Sequence, residues 1–208
     1  MQKVSIKRLA SILLAVVMLL SCAVVFVGCD KDGIPDDLKV VNYDKNGNPI
    51  AYYKNDYDEK GNVIKNANYD SKGQLTGYTE SEYDANNNRI KDTYYDEDDK
   101  VKGGVAMEYD DQNRITKNAN LDKKGKVTDY VVYEYNEAGR ECRFYRYDGD
   151  DVLQSYLEYE YDSNNELTKM TEYTGTGEIK SYTEYKVDEN GEEKAYKYDN
   201  KGTLVSIN

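Results

Sequence analysis

The stretch YDSKGQLTGYTESEYDANNNRIKDTY, residues 69–94, decides the fold. It holds two turn signals, DSKG (Asp70 to Gly73) and DANN (Asp84 to Asn87), each preceded by Tyr and followed by a run that mixes apolar and polar residues. Asp at the first position of a type I turn accepts from backbone N–H groups ahead of it. Gly at the fourth supplies the left-handed conformation that a three-residue hairpin loop requires. Where Gly is missing along the chain, Asn87, Asp99, Asn113, Asp151 and Asn165 take its place, and these residue types tolerate positive φ best.

Working outward, the Tyr-Asp pair or a close variant starts at Tyr43, Tyr57, Tyr69, Tyr83, Tyr95, Tyr109, Leu121, Tyr135, Tyr147, Tyr161, Tyr173, Val187 and Tyr198. The spacings alternate between 14 and 12 until a final 11, so the unit is 26 residues, one long and one short subunit. A period of this size signals a repeat architecture. The turn places each Tyr opposite the residue six positions on, mostly apolar: Val63, Leu75, Val101, Ile115, Val127, Leu153, Leu167 and Ile179. Because these offsets are even, the pattern predicts every Tyr of the pair on one face, continued by Val105, Val131 and Leu157. Asp56, Glu82, Glu108, Glu134 and Glu160 then mark the more polar face. The predicted fold is all-β, an elongated, twisted or curled antiparallel β-meander of about 14 strands built from 26-residue double-hairpin repeats. At about 4.8 Å per strand it is on the order of 65 Å long.

Ahead of the repeats, Lys3, Lys7 and Arg8 precede an uncharged apolar run from Leu9 to Gly28, followed by Cys29 and polar residues. This is a signal-peptide layout, although the run is long enough for a membrane-spanning helix. FVGC (Phe26 to Cys29) resembles the bacterial lipoprotein lipobox, with Phe26 where Leu is usual. LLSC (Leu19 to Cys22) fits that position better but leaves an apolar AVVFVG on the mature chain. The resemblance implies lipidation of Cys29, an acyl anchor in the bilayer, and a location on the extracytoplasmic side of the cell membrane. The expected organisation is a signal peptide at 1–28, a spacer at 29–37 and the repeat domain at 38–208.

The chain has 40 acidic and 28 basic residues, three of the basic ones within residues 1–28, so the remainder carries −15. That charge argues against nucleic acid as a partner. With Cys142 alone beyond the leader, no internal disulfide can form there. No His occurs, which removes the usual triads and the commonest general base. Carboxylate pairs of a glycoside hydrolase type need a unique pocket, whereas these acids recur at equivalent repeat positions. DEDD (Asp96 to Asp99) and DGDD (Asp148 to Asp151) concentrate oxygen ligands suited to calcium, yet match no calcium-loop pattern and read as turn chemistry. The expectation is no enzyme, no cofactor and no metal.

The recurring YDxxG with its following strand resembles the YD repeats of Rhs proteins and teneurins, and more loosely MORN-variant repeats. That resemblance implies a curled β-shell, which in those families can enclose a toxin. The repeats are short for a closed shell and no cargo domain is expected after them, so a toxin function is not carried over and surface recognition of the teneurin kind stands as an analogy alone.

A second series stands nine positions after each long-subunit Tyr: Tyr52, Tyr78, Tyr130, Tyr156 and Tyr182, interrupted by Gly104. Alternation predicts them on the polar face, about 10 Å apart, as a candidate ligand platform; cross-strand packing is the rival reading. Lys65, Lys91, Lys117, Arg143 and Lys169 fall on the predicted Tyr-Asp face, their stems laid over Tyr rings. The functional expectation is a non-enzymatic surface lipoprotein that binds a glycan polymer or a protein. The alternative is a structural spacer, and unprotected edge strands would permit a homodimer.

Overall fold

The computed structural model describes residues 37–208. The expected signal peptide, Cys29 and residues 30–36 of the expected spacer lie outside the described residues. Each Tyr-Asp turn joins two strands, which gives β1 (Lys39–Tyr43), β2 (Pro49–Tyr57), β3 (Val63–Asp70), β4 (Leu75–Tyr83), β5 (Arg89–Tyr95), β6 (Val101–Tyr109) and β7 (Ile115–Leu121). The series continues with β8 (Val127–Tyr135), β9 (Glu141–Asp148), β10 (Leu153–Tyr161), β11 (Leu167–Thr174), β12 (Ile179–Val187), β13 (Glu193–Asp199) and β14 (Leu204–Ile207). Every strand pairs with its neighbour in sequence, forming one 14-stranded antiparallel meander that is elongated and not closed into a barrel.

The turn chemistry recurs from hairpin to hairpin. In the second turn the Gly61 N–H donates to the Asp58 carbonyl at 3.1 Å and the Asp58 N–H to the Asn62 carbonyl at 2.9 Å. Asp58 Oδ1 also accepts from the Lys60 and Asn62 N–H groups at 2.9 and 2.8 Å. The Asn and Asp substitutes for Gly take φ between 60 and 65° at Asn87, Asp99, Asn113, Asp151 and Asn165.

The six-residue pairing holds, with Tyr57 opposite Val63 and Tyr69 opposite Leu75. The single Tyr face does not. Beyond Tyr57 and Val63 the next partners are Asp56 and Lys65, so Ile64 is an extra residue that opposes nothing. Such a bulge adds one position to the strand leaving the turn, and one position exchanges the two faces. Successive Tyr-Asp tyrosines therefore alternate between faces. The β12–β13 hairpin reaches the same result differently: its spacing is 11, and β12 and β13 pair without a bulge from Ser181–Asp199 to Val187–Glu193.

One face, called the row face here, carries Tyr69, Tyr95, Tyr147, Tyr173 and Tyr198. The other, the clasp face, carries Tyr57, Tyr83, Tyr109, Tyr135 and Tyr161. Equivalent residues slide along the strands: β3 sets Tyr69 against Tyr52 but Ala67 against Tyr78. That is one residue of stagger per strand, a strand tilt of about 35°, in the range seen in barrel walls. The sheet buries little. Tyr52, Ala67, Tyr78, Met107 and Ala119 are its buried apolar residues, and no large side chain among the described residues is fully enclosed.

Candidate functional site

The tyrosines proposed as a platform are not free rings. Tyr52, Tyr78, Tyr130, Tyr156 and Tyr182 stand directly opposite Tyr69, Tyr95, Tyr147, Tyr173 and Tyr198, so they share the row face with those Tyr-Asp tyrosines. Tyr52 and Tyr78 are buried, and Tyr130, Tyr156 and Tyr182 are half-buried. Four pairs stack nearly parallel: Tyr78 on Tyr95 at 4.5 Å between ring centres, Tyr130 on Tyr147 at 4.8 Å, Tyr156 on Tyr173 at 4.5 Å and Tyr182 on Tyr198 at 4.8 Å. That separation equals the strand spacing, so the rings stand upright on adjacent strands and turn their edges outward.

The basic series lies on the row face too, because it shares strands with the bulges, and in three of its five members the ammonium group itself, rather than the stem alone, sits over a ring. Lys65 Nζ lies 3.6 Å from the ring centre of Tyr78, Lys117 Nζ 4.2 Å from that of Tyr130 and Lys169 Nζ 5.2 Å from that of Tyr182. The same cations meet acids across the strands, as in Lys91–Glu82 at 2.8 Å, Arg143–Glu158 at 3.0 Å and Lys169–Glu160 at 3.6 Å. Three of the four stacked pairs thus carry a lysine over a ring, and each of those lysines meets a carboxylate: Lys65 with Glu80, Lys117 with Glu108 and Lys169 with Glu160.

The acidic loops have a role that spacing alone does not reveal. Tyr78 Oη donates to Asp99 Oδ1 at 2.9 Å, and Tyr130 Oη to Asp151 Oδ1 at 2.9 Å. Both acceptors occupy the positive-φ turn position. Where that position is Gly177 or Gly202, the hydroxyls of Tyr156 and Tyr182 lie within 4 Å of where a Cβ would stand. Burial, aided by the hydrogen bond to Asp151, pushes Tyr130 up to about 12, and burial with the Asp99 bond raises Tyr78 likewise. Among the described residues no three Cys, Asp or Glu side chains come together as a metal site.

On the clasp face, a second hydrogen-bond series links the units. Tyr83 donates to the Val63 carbonyl at 3.0 Å, Tyr109 to Arg89 at 2.8 Å, Tyr135 to Ile115 at 2.7 Å and Tyr161 to Glu141 at 2.6 Å. Each acceptor opens the strand after the preceding long turn, 20 residues back.

Both series break once. Gly104 and Leu121 stand where the row face should carry a Tyr pair, and a cavity of about 270 Å³ opens there beneath Lys91, Val101 and Lys124. Val187 interrupts the clasp series beside a cavity of about 430 Å³. Among the described residues, the carboxyl that burial raises is that of Glu141, and the partner acting on it is Tyr159 rather than a second carboxylate. Cys142 is a half-buried free thiol.

No protein-family model matches the chain, and no match was found among curated proteins. Among solved structures it is similar to the TcdB2-TccC3-TEV assembly, at 11% identity and a TM-score of 0.32. The match covers 87% of this chain but 13% of that one. A porin-like protein from Bacteroides uniformis matches at 17% identity and a TM-score of 0.34, covering 65% of this chain and 49% of the other. A protein of unknown function from Bacteroides fragilis matches at 14% identity and a TM-score of 0.28, with 78% and 93% covered. Likenesses this distant assign no activity.

Proposed function

We propose that this chain is a non-enzymatic binding module of the YD-repeat type, anchored through a lipidated Cys29 on the extracytoplasmic side of the cell membrane. Its row face, around Tyr52, Tyr78, Tyr130, Tyr156 and Tyr182, engages an extended polymer, a glycan first, with an envelope protein as the other partner considered. The supporting observation is periodicity. Stacked tyrosine pairs recur along the sheet, three of the four with a lysine over a ring, and the pair is missing at Gly104 and Leu121. The one-residue stagger spaces neighbouring clusters by about 12 Å. A ligand with its own repeat can occupy several weak sites at once and gain avidity from each. Upright rings and lysine ammonium groups offer edges and hydrogen-bond donors, which suits polar polymers.

The test is binding of the full chain to an array of envelope polysaccharides. Lys117→Gln with Lys169→Gln should weaken retention, and Tyr130, Tyr156 and Tyr182 together changed to Ala should abolish it. Retention unaffected by either variant would overturn the assignment. The unit-to-unit clasps favour a second reading, a structural spacer or envelope-assembly component with no discrete ligand. That reading requires function to survive removal of one whole 26-residue unit.

A further inference from the structure

The break in the clasp series points to a small-ligand site of its own. In four consecutive 26-residue units a tyrosine hydroxyl reaches the carbonyl 20 residues back, with oxygen separations of 2.6 to 3.0 Å. The fifth member of the series is Val187, and its acceptor counterpart is Leu167. Val has neither ring nor hydroxyl, so the Leu167 carbonyl receives no clasp from it. The resulting cavity of about 430 Å³ is lined by Leu167 and Val187, with Tyr161 and Tyr185 in its walls and Arg140 and Glu193 among its polar residues. Its volume exceeds that of one ring, which leaves room for a ring substituent.

We propose that this cavity binds a phenol, with the ring between Tyr161, Leu167 and Val187 and the hydroxyl donating to the Leu167 carbonyl. The four intact clasps show the geometry the protein already satisfies with its own side chains. A ligand in the gap repeats it in trans. Aromatic walls favour a planar ring, and a carbonyl that position 187 does not clasp suits a ligand that brings a hydroxyl of its own. Arg140 and Glu193 can meet a charged or polar substituent. The site lies on the clasp face and does not depend on polymer binding by the row face.

The experiment uses the full chain labelled with ¹⁵N and titrated with p-cresol, toluene and N-acetyl-tyrosinamide. Amide shifts at Leu167, Thr168 and Val187 should saturate with p-cresol, with a dissociation constant in the roughly millimolar range for so small a ligand. Toluene, lacking the hydroxyl, should bind about fivefold more weakly. Tighter binding of N-acetyl-tyrosinamide than of p-cresol would assign the natural source as a peptide tyrosine; the reverse would assign a small phenol. Val187→Tyr restores the internal clasp and should abolish the shifts while preserving or raising the melting temperature, and Val187→Phe should occlude the ring site without supplying the hydroxyl. Equal affinity for toluene, or undiminished p-cresol shifts in folded Val187→Tyr and Val187→Phe proteins, would overturn the proposal.

Discussion

Replacing Tyr135 with Phe deletes one oxygen and leaves the ring in place. The ring still faces the Arg114 guanidinium, whose centre lies 4.3 Å from the ring centre. What disappears is the 2.7 Å hydrogen bond to the Ile115 carbonyl, on a half-buried side chain. A net hydrogen bond contributes about 1 kcal/mol, and here it joins one 26-residue unit to the one before. Repeat proteins unfold by units and interfaces, so the loss should be local as well as global. Native-state hydrogen exchange should quicken about fivefold in β7 and β8, with smaller changes in β2 and β13. The melting temperature of a domain this size should fall by about 2–4 °C. Tyr57→Phe is the internal control, because Tyr57 is exposed and makes no clasp to a carbonyl. Equal effects of the two variants, or no exchange change in β7 and β8 for Tyr135→Phe, would show that the clasps do not couple the units.

Turn carboxylates set an acid limit. Asp44, Asp58 and Asp110 are held low chiefly by side-chain hydrogen bonds from Asn48, Asn62 and Arg114, and Asp122 by backbone N–H groups. Groups with lowered folded values contribute stability that is complete above the unfolded value of about 4 and disappears as pH falls through the folded ones, so circular dichroism should show hairpin loss below about pH 4. Tyrosines raised by burial act in the opposite sense. Their contribution is intact below about pH 10 and fades as pH climbs toward the value of about 12 reached by Tyr130, giving an alkaline transition that Asp151→Asn should shift. Gly104→Ala puts a Cβ 2.3 Å from the Asp92 carbonyl oxygen and should cost several kcal/mol through backbone displacement. Gly125→Ala, at φ 78° with nothing within 4 Å, should cost about 1 kcal/mol in a chemical denaturation series.

Much of the fold is legible because its signals are local. D-x-x-G followed by an apolar position fixes a turn and its nearest pair without any long-range information, so the strand number, the meander order and the Tyr57–Val63 register all follow from spacing. The five positive-φ Asn and Asp residues are legible for the same reason. The faces are not, because a bulge such as that at Ile64 leaves no distinct residue type behind and its whole effect is one added position. An even count of residues then gives an odd change of face. The final spacing of 11 was the available clue: a one-residue deletion that keeps Tyr198 beside Tyr182 implies that the other hairpins carry one residue more than pairing needs.

The candidate site was legible as a period and not as a surface. Nine-residue offsets identify Tyr52, Tyr78, Tyr130, Tyr156 and Tyr182, but their exposure depends on what stands across the strand. The bulge brings Tyr69, Tyr95, Tyr147, Tyr173 and Tyr198 there. The Tyr78–Asp99 and Tyr130–Asp151 bonds and the 20-residue clasps join different units, so they depend on the stagger between strands. The clasps end on backbone carbonyls, which every residue carries, so no residue type marks their acceptors; what the sequence does show is where a Tyr drops out of its period, at Gly104 and Val187, and a cavity opens at each.

The face assignment is tested most directly by ring-to-ring nuclear Overhauser effects in a sample with labelled tyrosines. Alternating faces predict a strong contact between the Tyr130 and Tyr147 rings, whose centres are 4.8 Å apart. No contact between those two rings would put them on opposite faces of the sheet, restore the single tyrosine face and contradict the account.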